Sequence, residues 1–229
     1  MKDVNDILFL VQARLSSERI PKKMLKPLAD TTLMDICIKK ILDSDIIPKE
    51  NFYVSAHEDE LKDICRKYGV NIFHRSEKSA MSEGTPMTEI YEWWDKLPYK
   101  YCVLINACAP FFKLSTIEEF TQQYMKSPSD GMFAVMDKKN YFWDENFNLI
   151  TPWPESYSVM NTKYVSKTYE AAHCLYASRL DSIGEGIWMG DFLKPGDIEL
   201  YPVAEEECLD IDYPWQFEIC EALYKSGRR

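Results

Sequence analysis

The sequence predicts an α/β fold with a mainly parallel central sheet, and three observations carry the prediction. Short apolar runs alternate with amphipathic segments of helical period, apolar residues make up 46% of the 229-residue chain, and no internal repeat or low-complexity tract breaks the pattern. Strand, helix and strand in succession form a crossover unit, and several such units leave helices on both faces of one sheet.

The first strand is read over residues 7–13, an apolar run broken only by Gln12. Residues 52–56, 70–73, 102–107 and 132–136 repeat the signal, as strands buried on both faces require. Between them, residues 33–42, 58–68, 87–97 and 116–125 carry apolar side chains three and four apart, the spacing of one helix face. The alternation stops after Asp137. Residues 138–168 are rich in Asn, Tyr, Trp, Pro and Lys without a period, and so long an excursion reads as an inserted arm, a lid or an oligomer contact. Strands over 170–177 and 199–203 and a last helix over 213–224 complete a single domain, residues 1–229, that carries the arm.

Composition excludes several function classes. The net charge of -10 and a pI near 4.9 leave no broad basic face for nucleic acid. No apolar run reaches the roughly eighteen residues of a membrane span, and the opening MKDVND is too polar to begin a secretion signal. The reading is a cytoplasmic protein with neither nucleic acid nor membrane as partner. Cys37, Cys65, Cys102, Cys108, Cys174, Cys208 and Cys220 form no CxxC pair and have no accompanying histidine spacing, so they read as buried free thiols. The aromatic run YEWWDKLPYKY reads as packing, with Tyr91 and Trp94 on helical spacing.

Two short stretches concentrate charge. VQARLSSERIPKKMLKPL, residues 11–28, follows the first strand, and ligands of open parallel sheets gather beyond the carboxyl ends of strands. It contains neither GxGxxG nor GxxxxGK[ST], so side chains must form any phosphate cradle. Arg14 and Arg19 would supply guanidinium forks, Lys23 a point charge, and Ser16 and Ser17 hydroxyl donors. On spacing alone, a solvated basic loop stays equally open. ECLDIDYPWQFE sets Asp210 and Asp212 around one apolar residue. On extended backbone both carboxylates face one side and can share a divalent cation. The alternative makes Asp212 a helix N-cap and Asp210 a solvated turn residue. Together, acidic pair and basic loop are complementary halves of one chemistry, in which Mg²⁺ and cationic side chains neutralise a reacting triphosphate.

The stretch QARLSSERIPKKMLKPL resembles the N-terminal signature of the CMP-sugar synthetases, the cytidylyltransferases that activate sialic acid, related nonulosonic acids and KDO. Its ARLSSxRxPxK form is similar to that of the KDO synthetases and of spore-coat polysaccharide nucleotidyltransferases of the same superfamily. YGVNIFHRSEKSA, LINACAP and LDIDYPWQFEICEAL resemble later segments of that family in the same order, so the similarity spans nearly the whole chain. It implies a three-layer, Rossmann-like nucleotidyltransferase in which Ala13, Arg14, Ser16, Arg19 and Lys23 meet the nucleotide, the cations binding the CTP phosphates. Arg75 would lie beside the cytidine pocket, with a surface ion pair as its alternative. Ser79, Ala80 and Ser82 would read the cytosine edge, and Asn106 takes the place of a family glutamine near nucleotide and acceptor. Asp210 and Asp212 would hold Mg²⁺, the implied cofactor, and act with Arg14 and Lys23 as the catalytic set. The implied reaction is attack by an oxygen of a small anionic acceptor on the α-phosphorus of CTP, releasing pyrophosphate. An acidic sugar of the nonulosonic or KDO kind is the implied acceptor, for surface glycan synthesis. A phosphonate or phosphorylated acceptor, and an inactive nucleotide-binding homologue, are the alternatives.

Departures from the family pattern concern the acceptor. Cys108 stands where the KDO enzymes have a metal-binding Asp. Ala172 and His173 replace an Asn-Gly pair of the sialic-acid enzymes, and Thr162 and Lys163 an Arg-Gln pair. Acceptor contacts are therefore expected from Asn106, Lys163, Tyr169 and His173, and the acceptor need not be N-acetylneuraminate. His173 could donate to a substrate anion, serve as a base, or be a satisfied histidine at a strand edge. His57 and His74 read as structural. The arm matches in place the dimerisation element of the sialic-acid synthetases, which implies a homodimer. Tyr141, Phe142, Trp143, Trp153 and Tyr157, read as exposed, suit such an interface. A lid folded back on its own chain is the alternative.

Overall fold

Alternate residues of the first strand, β1 (Ile7–Gln12), enter two different cores. Ile7, Phe9 and Val11 join one cluster of buried side chains, Leu8 and Leu10 the other, and all five are fully buried. Side chains of a strand point alternately to opposite faces, so a run apolar at every position requires cover on both sides. The computed structural model describes residues 1–81 and 84–228.

Along the chain follow α1 (Leu33–Leu42), β2 (Phe52–Ala56), α2 (Asp59–Tyr68), β3 (Asn71–His74), α3 (Glu77–Ala80) and α4 (Met87–Ile90). Then come β4 (Tyr101–Ile105), α5 (Leu114–Lys126), β5 (Gly131–Lys138), β6 (Thr168–Arg179), β7 (Ile198–Val203) and α6 (Pro214–Lys225). The strands form one seven-stranded sheet in the order β3-β2-β1-β4-β6-β5-β7. β1 pairs in parallel with β2 and β4, β2 with β3, and β5 with β7, while β6 runs antiparallel between β4 and β5. The expected mainly parallel α/β sheet is therefore present, and the order reverses beside β1, where such sheets open a crevice.

Residues of α1, α2, α5 and α6 all pack into the cluster on the Ile7 face. On the opposite face the cover is made of shorter pieces: α4, the turns after it, and a 3-10 helix at Asp181–Glu185. The helix expected over 87–97 stops at Ile90. Trp93 is fully buried and donates through Nε1 to Gln12 Oε1 at 2.8 Å, and Tyr91 lies 4.9 Å from Trp188, ring centre to ring centre. Trp94 meanwhile packs on Gly184. Neighbouring aromatics that all turn inward override the helical period.

β5 starts where backbones touch. A Cβ on Gly131 would lie 1.6 Å from the carbonyl oxygen of Met189, so only glycine fits. Six of the seven free cysteines are buried, as expected, and Cys108 is partly exposed. Among the described residues, no helix is long and apolar enough to cross a membrane.

The arm leaves β5 at Lys138 and re-enters β6 at Thr168, and those two residues are paired across the sheet. Its regular structure is a bridge between Trp143 and Leu149 and a 3-10 turn at Thr162–Tyr164. Phe142, Trp143, Trp153 and Tyr157 are exposed as expected, but Tyr141 is not: it is buried, 5.4 Å from Trp153 and 6.4 Å from Trp143 between ring centres. It forms the arm's own small core, which the sequence pattern does not reveal.

Candidate functional site

The loop after β1 has no glycine, and its shape comes from apolar anchors. Ile20, Met24 and Leu28, four residues apart, are buried in the main core, and this leaves Arg19 and Lys22 on the outside. Ala13, Arg14, Ser16, Ser17, Arg19 and Lys23 line a cleft of about 430 Å³, with Asp212 on its far side and Cys108 beside them. Four of the surrounding loops follow the carboxyl ends of β1, β2, β3 and β4, the ends at which parallel sheets bind ligands.

Asp212 faces the basic loop directly. Its carboxylate lies 3.0 Å from Arg19 Nη2 and 3.4 Å from Lys23 Nζ, and Lys23 also donates to the carbonyl of Ile211. The Arg19 guanidinium lies 4.8 Å from the ring centre of Tyr213, and the hydrogen bond to Tyr213 together with Asp212 holds it above its ordinary pKa. Asp212 is not the helix cap. Tyr213 takes that position, and Gln216 Oε1 accepts from the backbone N–H groups of Asp212 and Tyr213 at 2.7 Å each. Ile211 is buried and its N–H is fixed on the carbonyl of Cys108 at 3.0 Å, so Asp210 and Asp212 stand on either side of an anchored residue.

Asp210 is the more deeply placed carboxylate. Burial, then the charge of Asp212, raises its pKa, against the opposing influence of Lys23, a hydrogen bond from Asn106 and His173. Its Oδ1 is buried without a hydrogen-bond partner. A buried carboxylate oxygen with no donor is costly unless a ligand completes it. Among the described residues, no group of three or more His, Cys, Asp or Glu side chains is arranged to hold a metal ion. Two carboxylates still suit Mg²⁺, which keeps several waters and takes its remaining oxygens from substrate phosphates. The thiol of Cys108, pushed up by burial, adds no ligand suited to that ion.

Asn106 joins β4 to this centre. Its Oδ1 accepts from the N–H of Cys108 at 2.9 Å, and its Nδ2 donates to the carbonyl of His173 at 2.8 Å. His173 sits on a bulge: between the pairs Phe133↔Tyr176 and Val135↔Ala171, β5 advances two residues and β6 five. Its φ of 53° is left-handed, a conformation in which histidine is enriched among non-glycine residues, and its side chain is exposed with Nδ1 3.3 Å from the Tyr176 hydroxyl. It occupies a central strand and not a sheet edge.

Arg75 is buried, which overturns the surface ion pair as its alternative. Its Nε donates to Ser79 Oγ at 2.9 Å and its Nη2 to the Ser79 carbonyl, and burial with Arg14 nearby pulls it down to about 10. Arg14 Nη1 reaches the Ala80 carbonyl at 3.5 Å, linking this node to the basic loop. Ser82 lies outside the described residues. Among the described residues, no hydrogen bond or ion pair ties Lys163 or Tyr169 to the cleft: Lys163 is exposed in the arm's 3-10 turn, and Tyr169 is exposed on β6 opposite Asp137.

Sequence reasoning missed Glu58, whose Oε1 accepts from the N–H of Leu15 at 2.7 Å, as well as Gln216. Glu58 opens α2 where a Ser, Thr, Asp or Asn cap is preferred, and that substitution is the one signal it leaves in the sequence.

Residues 8–179 match the family model described as Cytidylyltransferase. The chain belongs to the cytidylyltransferase family. It is 34% identical over 92 residues to the spore coat polysaccharide biosynthesis protein SpsF of Bacillus subtilis, covering 38% of each chain. It is 22% identical over 219 residues to N-acylneuraminate cytidylyltransferase B of Danio rerio, covering 93% of this chain and 50% of that one. The chain thus spans half or less of the length of these two relatives. Its fold superposes on a CMP:2-keto-3-deoxy-manno-octonic acid synthetase solved in complex with CTP, with a TM-score of 0.68 at 12% identity, over 96% of this chain and 99% of the other.

Proposed function

We propose that this cytidylyltransferase transfers CMP from CTP to an acidic sugar of the nonulosonic or KDO kind, as a cytoplasmic homodimer serving surface glycan synthesis. The observation that carries the reading is the meeting of Arg19 and Lys23 with Asp212 in one cleft. A cation set and an acid pair that neutralise each other in the free protein are poised to receive a triphosphate with its metal.

In this reading, Arg14, Ser16, Arg19 and Lys23 hold the triphosphate, beside the backbone of Ala13. Asp210 and Asp212 hold Mg²⁺, which supplies charge neutralisation on the phosphate oxygens. The buried, partnerless Oδ1 of Asp210 supports that assignment. The segment containing Arg75, Ser79, Ala80 and Ser82 reads cytosine. His173, Lys163 and Tyr169 serve the acceptor, and Asn106 holds the bulge of His173 against Asp210. An acceptor hydroxyl oxygen forms a bond to the α-phosphorus of CTP while the bond to the bridging oxygen breaks. Pyrophosphate leaves with that electron pair, and the hydroxyl proton passes to solvent. Alignment and charge carry the rate, with no covalent intermediate on the chain.

The test is melting temperature with Mg²⁺ and each of CTP, UTP, ATP and GTP, followed by pyrophosphate release with acidic-sugar acceptors. Ligand at about a hundred times its Kd adds roughly 2.7 kcal/mol, which raises the midpoint of a chain of this size by roughly 5–10 °C. A shift with CTP above the other nucleotides supports the reading, and no shift with any of them overturns it.

A further inference from the structure

Glu58 is placed to cap a helix and does something else. It stands at the N-cap of α2 with extended backbone (φ -77°, ψ 139°), yet its side chain makes no hydrogen bond to that helix. Its Oε1 accepts instead from the N–H of Leu15, 43 positions earlier in the chain, at 2.7 Å, while Oε2 is buried without a partner. Short oxygen side chains cap well because they reach back to the second or third helical N–H. The extra methylene of glutamate carries its carboxylate past that point and across to the neighbouring loop.

The place where it lands matters. Leu15 follows Arg14 directly, and on the other side of Arg14 the N–H of Ala13 is fixed on the carbonyl of Ser55 at 3.0 Å. The backbone is thus held on both sides of this arginine, once by the last turn of the sheet and once by Glu58. The loop contains no glycine, and the next bond within it runs from the N–H of Ser17 to the carbonyl of Leu15 at 2.9 Å, so fixing Leu15 also fixes the turn that presents Ser16 and Ser17.

We propose that Glu58 is a positioning residue for the triphosphate: it forgoes capping α2 in order to preset the backbone of the basic loop at Arg14 to Ser17. The proposal rests on the reading of that loop as the phosphate site. Its physical content is preorganisation, since a loop ordered during folding need not be ordered again when the ligand binds.

Three substitutions separate this role from a merely structural one, with binding followed by titration calorimetry and apo stability by melting temperature. Glu58→Asp shortens the side chain to a preferred cap, so the midpoint stays at or above that of the wild type. Its affinity for CTP with Mg²⁺, and for inorganic tripolyphosphate, falls about tenfold because Leu15 is released. Glu58→Ala shows the same loss of affinity. Glu58→Gln keeps an acceptor oxygen at the same reach and stays within about threefold of the wild type. Wild-type affinity for CTP in both Glu58→Asp and Glu58→Ala overturns the proposal. So does a Glu58→Gln variant as weak as Glu58→Ala, which would make charge the cause, or affinity that falls only in step with the midpoint. A wild-type chain that binds neither CTP nor tripolyphosphate would instead overturn the phosphate-loop reading itself, and the proposal with it.

Discussion

Arg19 and Asp212 are joined by an ion pair of 3.0 Å that spans the cleft between the loop after β1 and the segment before α6. Both side chains are largely exposed, at 50% and 39%, and pairs of this kind add little to folding. The pair therefore contributes little to holding the fold together.

Arg19→Ala is expected to leave the apo melting midpoint within about 2 °C of the wild type. If the loop binds the triphosphate as proposed, the rise produced by CTP with Mg²⁺ should fall by about half or more, because one phosphate contact is gone. Scanning fluorimetry with and without nucleotide reads both quantities in one experiment. A large drop in the apo midpoint with an intact nucleotide response would show the pair to be structural.

Asp210→Asn is expected to stabilise the chain while removing the magnesium-dependent response to CTP. Burial and the charge of Asp212 raise the pKa of Asp210, so the folded chain holds that proton more tightly than the unfolded chain does. The stabilisation from this group is complete below the ordinary carboxylate range and is lost as pH rises through the raised value. At pH 8 the neutral amide should raise the midpoint by roughly 2–4 °C. The gain should close as the pH falls toward the ordinary carboxylate range, where the wild type takes up the proton. A gain independent of pH would refute the electrostatic cause.

Gly131→Ala is expected to cost about 3 kcal/mol or more, because the new methyl would overlap the carbonyl of Met189 and force β5 away from the 189–190 turn. In a chain of this length that lowers the midpoint by roughly 6–12 °C. Thermal unfolding of the purified variant checks it, and an unchanged midpoint would mean that the contact relaxes freely.

Light scattering at micromolar concentration is expected to show two chains per particle. Phe147, Ile150, Val159 and Met160 of the arm are exposed apolar side chains of the sort a partner subunit would cover. Changing Ile150 and Val159 together to Asp should yield a monomer whose midpoint in dilute solution is close to that of the undisturbed chain. A wild type that is monomeric at that concentration would leave the arm as a lid.

Much of the fold is legible in the sequence because the parallel strands are buried on both faces, so Ile7 to Val11 and Phe52 to Ala56 announce themselves by composition alone. The basic loop and the two aspartates stand out in the sequence as concentrations of charge beside apolar runs, and the structure brings Arg19 and Lys23 to Asp212. What was not legible depends on distant partners. Trp93 ends a helical pattern by reaching Gln12, Arg75 turns inward to Ser79, and Tyr141 buries itself within the arm. The bulge that holds His173 in a left-handed conformation depends on register between strands, which no local pattern encodes. Glu58 was hidden because its sequence position suggests a local cap while its bond is long-range.

Lys138 and Thr168 face each other across two hydrogen-bonded strands, so the arm starts and finishes at nearly the same point in space. Closing a loop whose ends already meet depends only weakly on how many residues lie between them. Insertions, deletions or wholesale exchange of this segment can therefore accumulate while β5, β6 and the cleft keep their register. The sheet acts as a fixed socket, and the arm is a part whose length and composition can change without disturbing it.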